Sequence, residues 1–407
     1  MTIKKNCVLL QRYSNHNNKP MYTEAMEHTV WIAVGIVTAV QLLYLYIIYG
    51  AVHRRNVADR KGKLQGTEEK AGISVIIVAS DNEEQLEANL PRVLTQDYPD
   101  YEVIVVDDNS GDDTKELLER LGQQYPHLYS TFTSNSIRYI SHKKLALTLG
   151  IKAAKKEWVV FTDPDCYPTS DQWLARMARH FTDKTDVVVG YNNYEHKAGF
   201  ANLCYVYDTL LHQLRMLGIT LLGRGYMGIG RNMAYRKEFF FRHKGYSQHL
   251  DLQRGEDDLF VNEYVPASRI AAEVSAEGSV RCTSANGYTW NADKLNRLFT
   301  QGKLHGMNPY LLGAETLSRL LFYAVVIAGM VYSIQHALWV TLGICIGGWL
   351  VRFVSQLIVY HWSARDLGER RYNVSLPLFD LVQPVWELYF RLRLLCSSKR
   401  AYMRNKL

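Results

Sequence analysis

Asp163-Pro164-Asp165 sets two carboxylates around a proline, one residue behind the apolar run Trp158-Val-Val-Phe161. That run reads as a buried strand, and the proline biases Asp163 toward extended geometry. Side chains two apart on an extended segment share a side. Like charges so placed repel unless a cation or hydrogen-bond donors sit between them. A hard divalent ion with oxygen ligands meets that need. A second acidic pair, Asp107-Asp108, closes the apolar run Glu102-Val-Ile-Val-Val106, and a third, Glu256-Asp257, follows Gly255 downstream.

Other chemistries lack their patterns. Gly223-Arg-Gly225-Tyr-Met-Gly228 has dinucleotide-binding spacing but opens no βαβ unit, which excludes a nicotinamide cofactor. The chain holds neither a G-x-x-x-x-G-K-[ST] phosphate loop nor an H-E-x-x-H metallopeptidase motif. Six scattered cysteines without a C-x-x-C predict neither a zinc site nor a disulfide framework, as suits a reducing compartment.

The elements that must position these residues alternate along the chain. Strands are expected at Ser74–Ala79, Glu102–Val106, Arg138–Ile140, Trp158–Phe161 and Asp186–Val189, with helices at 83–96, 112–123, 143–154 and 170–181. This is the pattern of an α/β fold with a parallel sheet. Ligands of such sheets bind beyond the carboxyl ends of the strands, where Asp107-Asp108 and Asp163-Asp165 fall. Asp112 and Asp171 read instead as helix caps.

Composition divides the rest. Thr29–Val52 is uncharged and long enough to span a bilayer. A second uncharged region, from Leu320 to Val351, is too long for one span and reads as two helices joined near Ser333–His336. Arg319 would snorkel to the interface, and Arg352 would lie inside the second helix. Basic residues follow the first span (Arg54, Arg55, Arg60, Lys61, Lys63) and the last (Arg365, Arg370, Arg371), which places both flanks in the cytoplasm. The expected order is an N-terminal tail (1–28), a transmembrane helix (29–52), a basic linker (53–72), a catalytic block (73–305), a helix pair (316–361) and a basic amphipathic end (362–407). The net charge of +7 is explained by membrane-flanking residues, since residues 391–406 carry six basic and no acidic groups, and no nucleic-acid partner is inferred. Leu376–Leu395 reads as an interfacial amphipathic helix.

The series Val75–Glu83, Val105–Ser110, His142–Leu147, Phe161–Asp165, Gly228–Tyr235 and Gly255–Leu259 resembles membrane-anchored bacterial family 2 glycosyltransferases. The resemblance implies a GT-A fold, a nucleotide-sugar donor, Mg²⁺ or Mn²⁺, and inverting transfer to a lipid-linked or membrane-proximal glycan acceptor at the bacterial inner membrane. It further implies that Ala79, Ser80, Asp107 or Asp108, Lys143, Lys144, Asp163 and Arg297 bind the nucleotide sugar. Asp163 and Asp165 would hold the metal. Asp257, beside Glu256, would be the general base, and Tyr226, Met227 and Gly228 would meet the acceptor. The Q-x-x-R-W motif of processive synthases is replaced by Lys294-Leu-Asn-Arg297-Leu298, which favours addition of a single sugar over polymer synthesis.

Overall fold

A computed structural model describes residues 21–63, 70–133, 141–249, 252–283, 286–372 and 375–396. The strand expected at Arg138–Ile140 lies outside the described residues. Two compact units form, one from the chain up to Leu45 with Gly313–Ile358, the other from Tyr46–Leu312 with the chain from Val359 onward.

The elements begin with α1 (Met21–Tyr44), a wider π turn (Leu45–Tyr49) and α2 (Ala51–Arg60). There follow β1 (Ile73–Ala79), α3 (Glu83–Leu94), β2 (Tyr101–Asp107), α4 (Thr114–Gln124), β3 (Leu128–Phe132), α5 (His142–Ala153), β4 (Trp158–Phe161), β5 (Cys166–Pro168), α6 (Trp173–Ala178), β6 (Val187–Gly190), β7 (Asn192–Tyr194) and the long α7 (Phe200–Ile219). The unit continues with β8 (Met233–Arg236), α8 (Lys237–Arg242), α9 (Asp258–Tyr264), β9 (Ile270–Glu273), β10 (Val280–Cys282) and α10 (Gly287–Gln301). Helices α11 (Asn308–Gln335), α12 (Trp339–Asp366) and α13 (Leu376–Cys396) follow.

Among the described residues, seven strands form the main sheet in the order β3-β2-β1-β4-β8-β6-β9. The sheet is mixed rather than parallel throughout, because β8 runs antiparallel to both β4 and β6. Hydrophobic patterning marks a buried strand but carries no direction, so β8 is set by where the chain returns after α7. Strands β1, β2 and β4 pair in parallel, with Ala79 opposite Asp107 and Ile76 opposite Phe161. Their carboxyl ends therefore finish together, and both acidic pairs are delivered to one edge.

Leu86, Leu90, Val93 and Leu94 recur at helical spacing on α3 and are buried with Ile73, Val75 and Ile77 of β1. Each such side chain contributes about 1.5–3 kcal/mol on full burial. A second sheet, β5-β10-β7, abuts the acidic turn. Within it Cys166 and Cys282 sit opposite each other in register and are disulfide-bonded, contrary to the sequence expectation. They are 116 positions apart, so only the sheet brings them together.

The other unit is built on three helices that, among the described residues, are long and apolar enough to cross a membrane: Glu24–Tyr49, Asn308–Gln335 and Trp339–Asp366. Val34, Phe322, Val326 and Cys345 form its core. Polar contacts tie the helices together, with Gln41 donating to Ser318 Oγ at 2.7 Å and Arg352 donating to Gln41 Oε1 at 3.0 Å. Arg319 does not snorkel; it is buried and ion-paired with Glu315 one turn earlier, the kind of partner a buried cation requires.

Candidate active site

A cleft of about 770 Å³ opens at the carboxyl ends of β1, β2 and β4 and is lined on its far side by α7 and α10. Asp163 and Asp165 both line it, although not through strand alternation. Pro164 and Asp165 form a turn in which the Cys166 amide donates to the Asp163 carbonyl at 3.0 Å. Thr283 fixes that turn by donating from its amide (2.8 Å) and hydroxyl (3.0 Å) to the Asp165 carbonyl.

Repulsion between the carboxylates is relieved by two cations. Lys143 Nζ lies 3.1 Å from Asp163 Oδ1, and Arg231 Nε lies 3.4 Å from Oδ2. Burial opposes ionisation of Asp163, but the ammonium and the guanidinium outweigh it and hold the carboxyl at about 2. Lys143 also reaches Glu256 Oε1 at 3.5 Å. Burial opposes its charge too, yet Asp163 and Glu256 keep it protonated far above the usual lysine range.

Asp257 sits at the N-terminus of α9. Its Oδ1 accepts from the Asp258 amide and its Oδ2 from the Gly230 amide, both at 2.8 Å. Burial and the neighbouring Glu256 raise its pKa above the ordinary carboxylate value. Gly255, just before this pair, has φ +97°, and a Cβ there would also meet Leu259, so the approach to α9 requires glycine. Asp258 is buried behind Asp257, and burial together with that charge pushes it up to about 8.

The remaining expected residues separate in space. Ser80 and Asp108 line the cleft, and Asp108 Oδ1 accepts from Thr133 Oγ1 at 2.6 Å. Asp107 instead closes a turn, its Oδ1 accepting from the Ser110 amide at 2.9 Å and hydroxyl at 2.6 Å. Ala79 is fully buried, and its carbonyl accepts from the Asp108 amide. Lys144 does not face the cleft; it is buried, and its Nζ donates to the carbonyls of His249, Leu252 and Arg254 at 2.6, 2.8 and 3.0 Å. Tyr226 is likewise buried and is not part of the lining, whereas Met227 and Gly228 are. Arg297 lines the cleft and is paired with Asp208 at 3.0 Å.

Arg231 and Asp293 were not singled out in the sequence. Arg231 Nη2 lies 2.7 Å from Asp293 Oδ2, and its guanidinium stands 5.4 Å from the Tyr194 ring centre. Arg231 lies within the Gly228–Tyr235 stretch that carried the resemblance, so its signal was present but unassigned. Asp293 has no local signal.

Seven carboxyl groups line the cleft against one lysine and three arginines. The buried Oε2 of Glu256 has no hydrogen-bond partner. An oxygen-rich, net acidic surface of this kind suits a hard divalent cation, with Asp163 and Asp165 as the side chains able to hold it.

Comparison with known proteins bears on the family and the fold. Residues 74–242 match the model of Glycosyl transferase family 2. This chain carries a family 2 glycosyltransferase domain. The matched segment ends with α8, so Glu256-Asp257 lies beyond it. One relative is UDP-Glc:alpha-D-GlcNAc-diphosphoundecaprenol beta-1,3-glucosyltransferase WfaP of Escherichia coli, 26% identical over 30% of this chain and 45% of that protein. Another is 4,4'-diaponeurosporenoate glycosyltransferase of Staphylococcus haemolyticus, 28% identical over 42% of this chain and 46% of its own length. The chain thus spans less than half the length of these relatives. The solved structure of the mannosyltransferase PcManGT from Pyrobaculum calidifontis, in complex with GDP-Man and Mn²⁺, covers 88% of this chain and 99% of its own at 17% identity, with a TM-score of 0.52. That likeness is one of fold, and the glycosyltransferase domain here is GT-A.

Proposed function

We propose that this chain moves a sugar from a nucleotide-diphosphate donor to a hydroxyl of a lipid-linked or membrane-proximal glycan acceptor, inverting the anomeric centre. The observation that carries the reading is the convergence of Asp163, Asp165, Lys143 and Arg231 with the Gly230-bound Asp257 in one cleft. The PcManGT complex with GDP-Man and Mn²⁺ and the diphosphoundecaprenol acceptor in the name of WfaP support it.

Ser80 and Asp108 line the nucleotide side. Lys143 and Arg231 stand where a diphosphate would gain from positive charge, and Asp163 and Asp165 are the residues to hold Mg²⁺ or Mn²⁺. When bound, the cation acts as a Lewis acid that neutralises the departing diphosphate. The acceptor oxygen attacks the anomeric carbon opposite that leaving group, and its proton passes to Asp257, whose raised pKa makes it a stronger base than an ordinary aspartate. Met227 and Gly228 line the acceptor side. Basic flanks on the first and last spans orient the catalytic unit toward the cytoplasm, at the inner membrane of a bacterium.

The test is release of nucleoside diphosphate by the full chain in lipid nanodiscs, across a panel of nucleotide sugars with Mn²⁺, Mg²⁺ or EDTA. Release with one donor, abolished by EDTA and restored by metal, is expected. Indifference to both donor and chelator would remove the reading.

A further inference from the structure

The wall of the cleft formed by α7 and α10 holds polar groups that the proposed transfer does not use. Thr209, His212 and Gln213 stand at i, i+3 and i+4 and so share one face of α7, and all three line the cleft. Gln213 is fully buried, and neither its amide nitrogen nor its amide oxygen has a hydrogen-bond partner. His212 Nε2 and the indole N–H of Trp290, which also lines the cleft, are buried without a partner as well. Leaving one such group unpaired costs about 1–3 kcal/mol, and natural cores rarely tolerate it. Asn232 shows the usual outcome in this same unit: its buried amide donates to the Tyr191 and Gly278 carbonyls and accepts from the Trp173 indole.

We propose that Gln213, His212 and Trp290 form a sugar subsite that grips ring hydroxyls of the acceptor away from the reacting one. The acceptor is therefore a sugar-bearing molecule rather than a bare lipid alcohol or phosphate. This inference rests on the glycosyltransferase reading above. Its chemistry follows from the orphaned groups. Gln213 offers two donors and one acceptor, and the indole offers one more donor. Neighbouring hydroxyls on a sugar ring can satisfy both kinds at once. A phosphate would satisfy the donors but set its negative charge against Gln213 Oε1, and an apolar chain would satisfy nothing. Lys294 and Arg297, the basic residues of α10 beside this face, both already have a carboxylate partner in Asp208. The Trp290 ring is held by Tyr205 and Phe390, which fixes the direction of its N–H.

Gln213→Leu removes both polar atoms at similar volume, and Trp290→Phe removes only the N–H. The full chain in nanodiscs is supplied with its active donor and Mn²⁺, and with methyl glycosides, disaccharides or a polyprenyl phosphate as acceptor probes. Wild type is expected to use a sugar-bearing probe. Gln213→Leu should raise the KM for that probe tenfold or more, and Trp290→Phe about threefold. The Kd for the nucleoside diphosphate should stay within twofold, and the Tm of Gln213→Leu should not fall, because an unsatisfied amide has been removed. The subsite is refuted by use of polyprenyl phosphate alone, by a glycoside KM within twofold of wild type in Gln213→Leu, or by a drop in its Tm, which would mark the amide as structural. Absence of donor turnover with every probe and with water would instead overturn the enzyme reading, and the subsite with it.

Discussion

Asp257 Oδ2 accepts the Gly230 amide at 2.8 Å, joining the start of α9 to the glycine-rich segment that enters β8. Because Oδ1 is held by the Asp258 amide, the carboxylate is fixed in orientation while each oxygen keeps a lone pair. Asp257→Asn keeps the shape and removes the basicity. Transfer should fall by roughly 10²- to 10⁴-fold while nucleotide affinity is retained. Steady-state kinetics with parallel nucleotide titration checks this, and normal turnover would remove Asp257 from the role of base. In the wild type the acid limb of kcat/KM should lie above the ordinary aspartate value of about 3.9, as burial and Glu256 dictate.

Asp258 gives a stability signature. Its folded pKa, about 8, exceeds the unfolded value, so between pH ~4 and ~8 the folded protein holds a proton that the unfolded chain has released. Stability contributed by this group is therefore present at low pH and is lost as pH rises through that window. Asp258→Asn should flatten the fall in Tm from pH 5 to 8. An undiminished slope in the variant would assign the effect elsewhere.

Lys143 and Lys144 should fail differently. Lys143→Met removes the cation beside Asp163 and should weaken nucleotide-sugar binding with little change in Tm. Lys144→Met leaves three carbonyls without their buried donor and should cost about 3 kcal/mol or more in denaturant unfolding. Equal effects of the two changes on binding would contradict the assignment.

Gly190 permits close packing near the site. A Cβ there would overlap the Asn232 side-chain amide, whose three hydrogen bonds join Tyr191 between β6 and β7, Trp173 of α6 and Gly278 before β10. Gly190→Ala should destabilise by about 3 kcal/mol through overpacking and lost hydrogen bonds. A Tm within a degree of wild type would show that Asn232 can move aside.

The chain's local order was written in its residues. Continuous apolar runs and amphipathic helices lay down β1, α3, β2 and β4 within a few positions, and uncharged stretches announced the three spans, because burial and bilayer length act on contiguous segments. The acidic pairs behind apolar strands pointed to the sheet edge for the same reason. Tertiary structure decided what contiguity cannot. Adjacent lysines on α5 point roughly 100° apart, so only the seating of that helix on the sheet determines that Lys143 enters the cleft and Lys144 clamps a loop. The reversal of β8, the meeting of Cys166 with Cys282 and the burial of Tyr226 depend on partners far away in sequence. So do the pairing of Arg231 with Asp293 and the orphaned amide of Gln213, since a side chain's partners are set by packing between elements rather than by its neighbours along the chain.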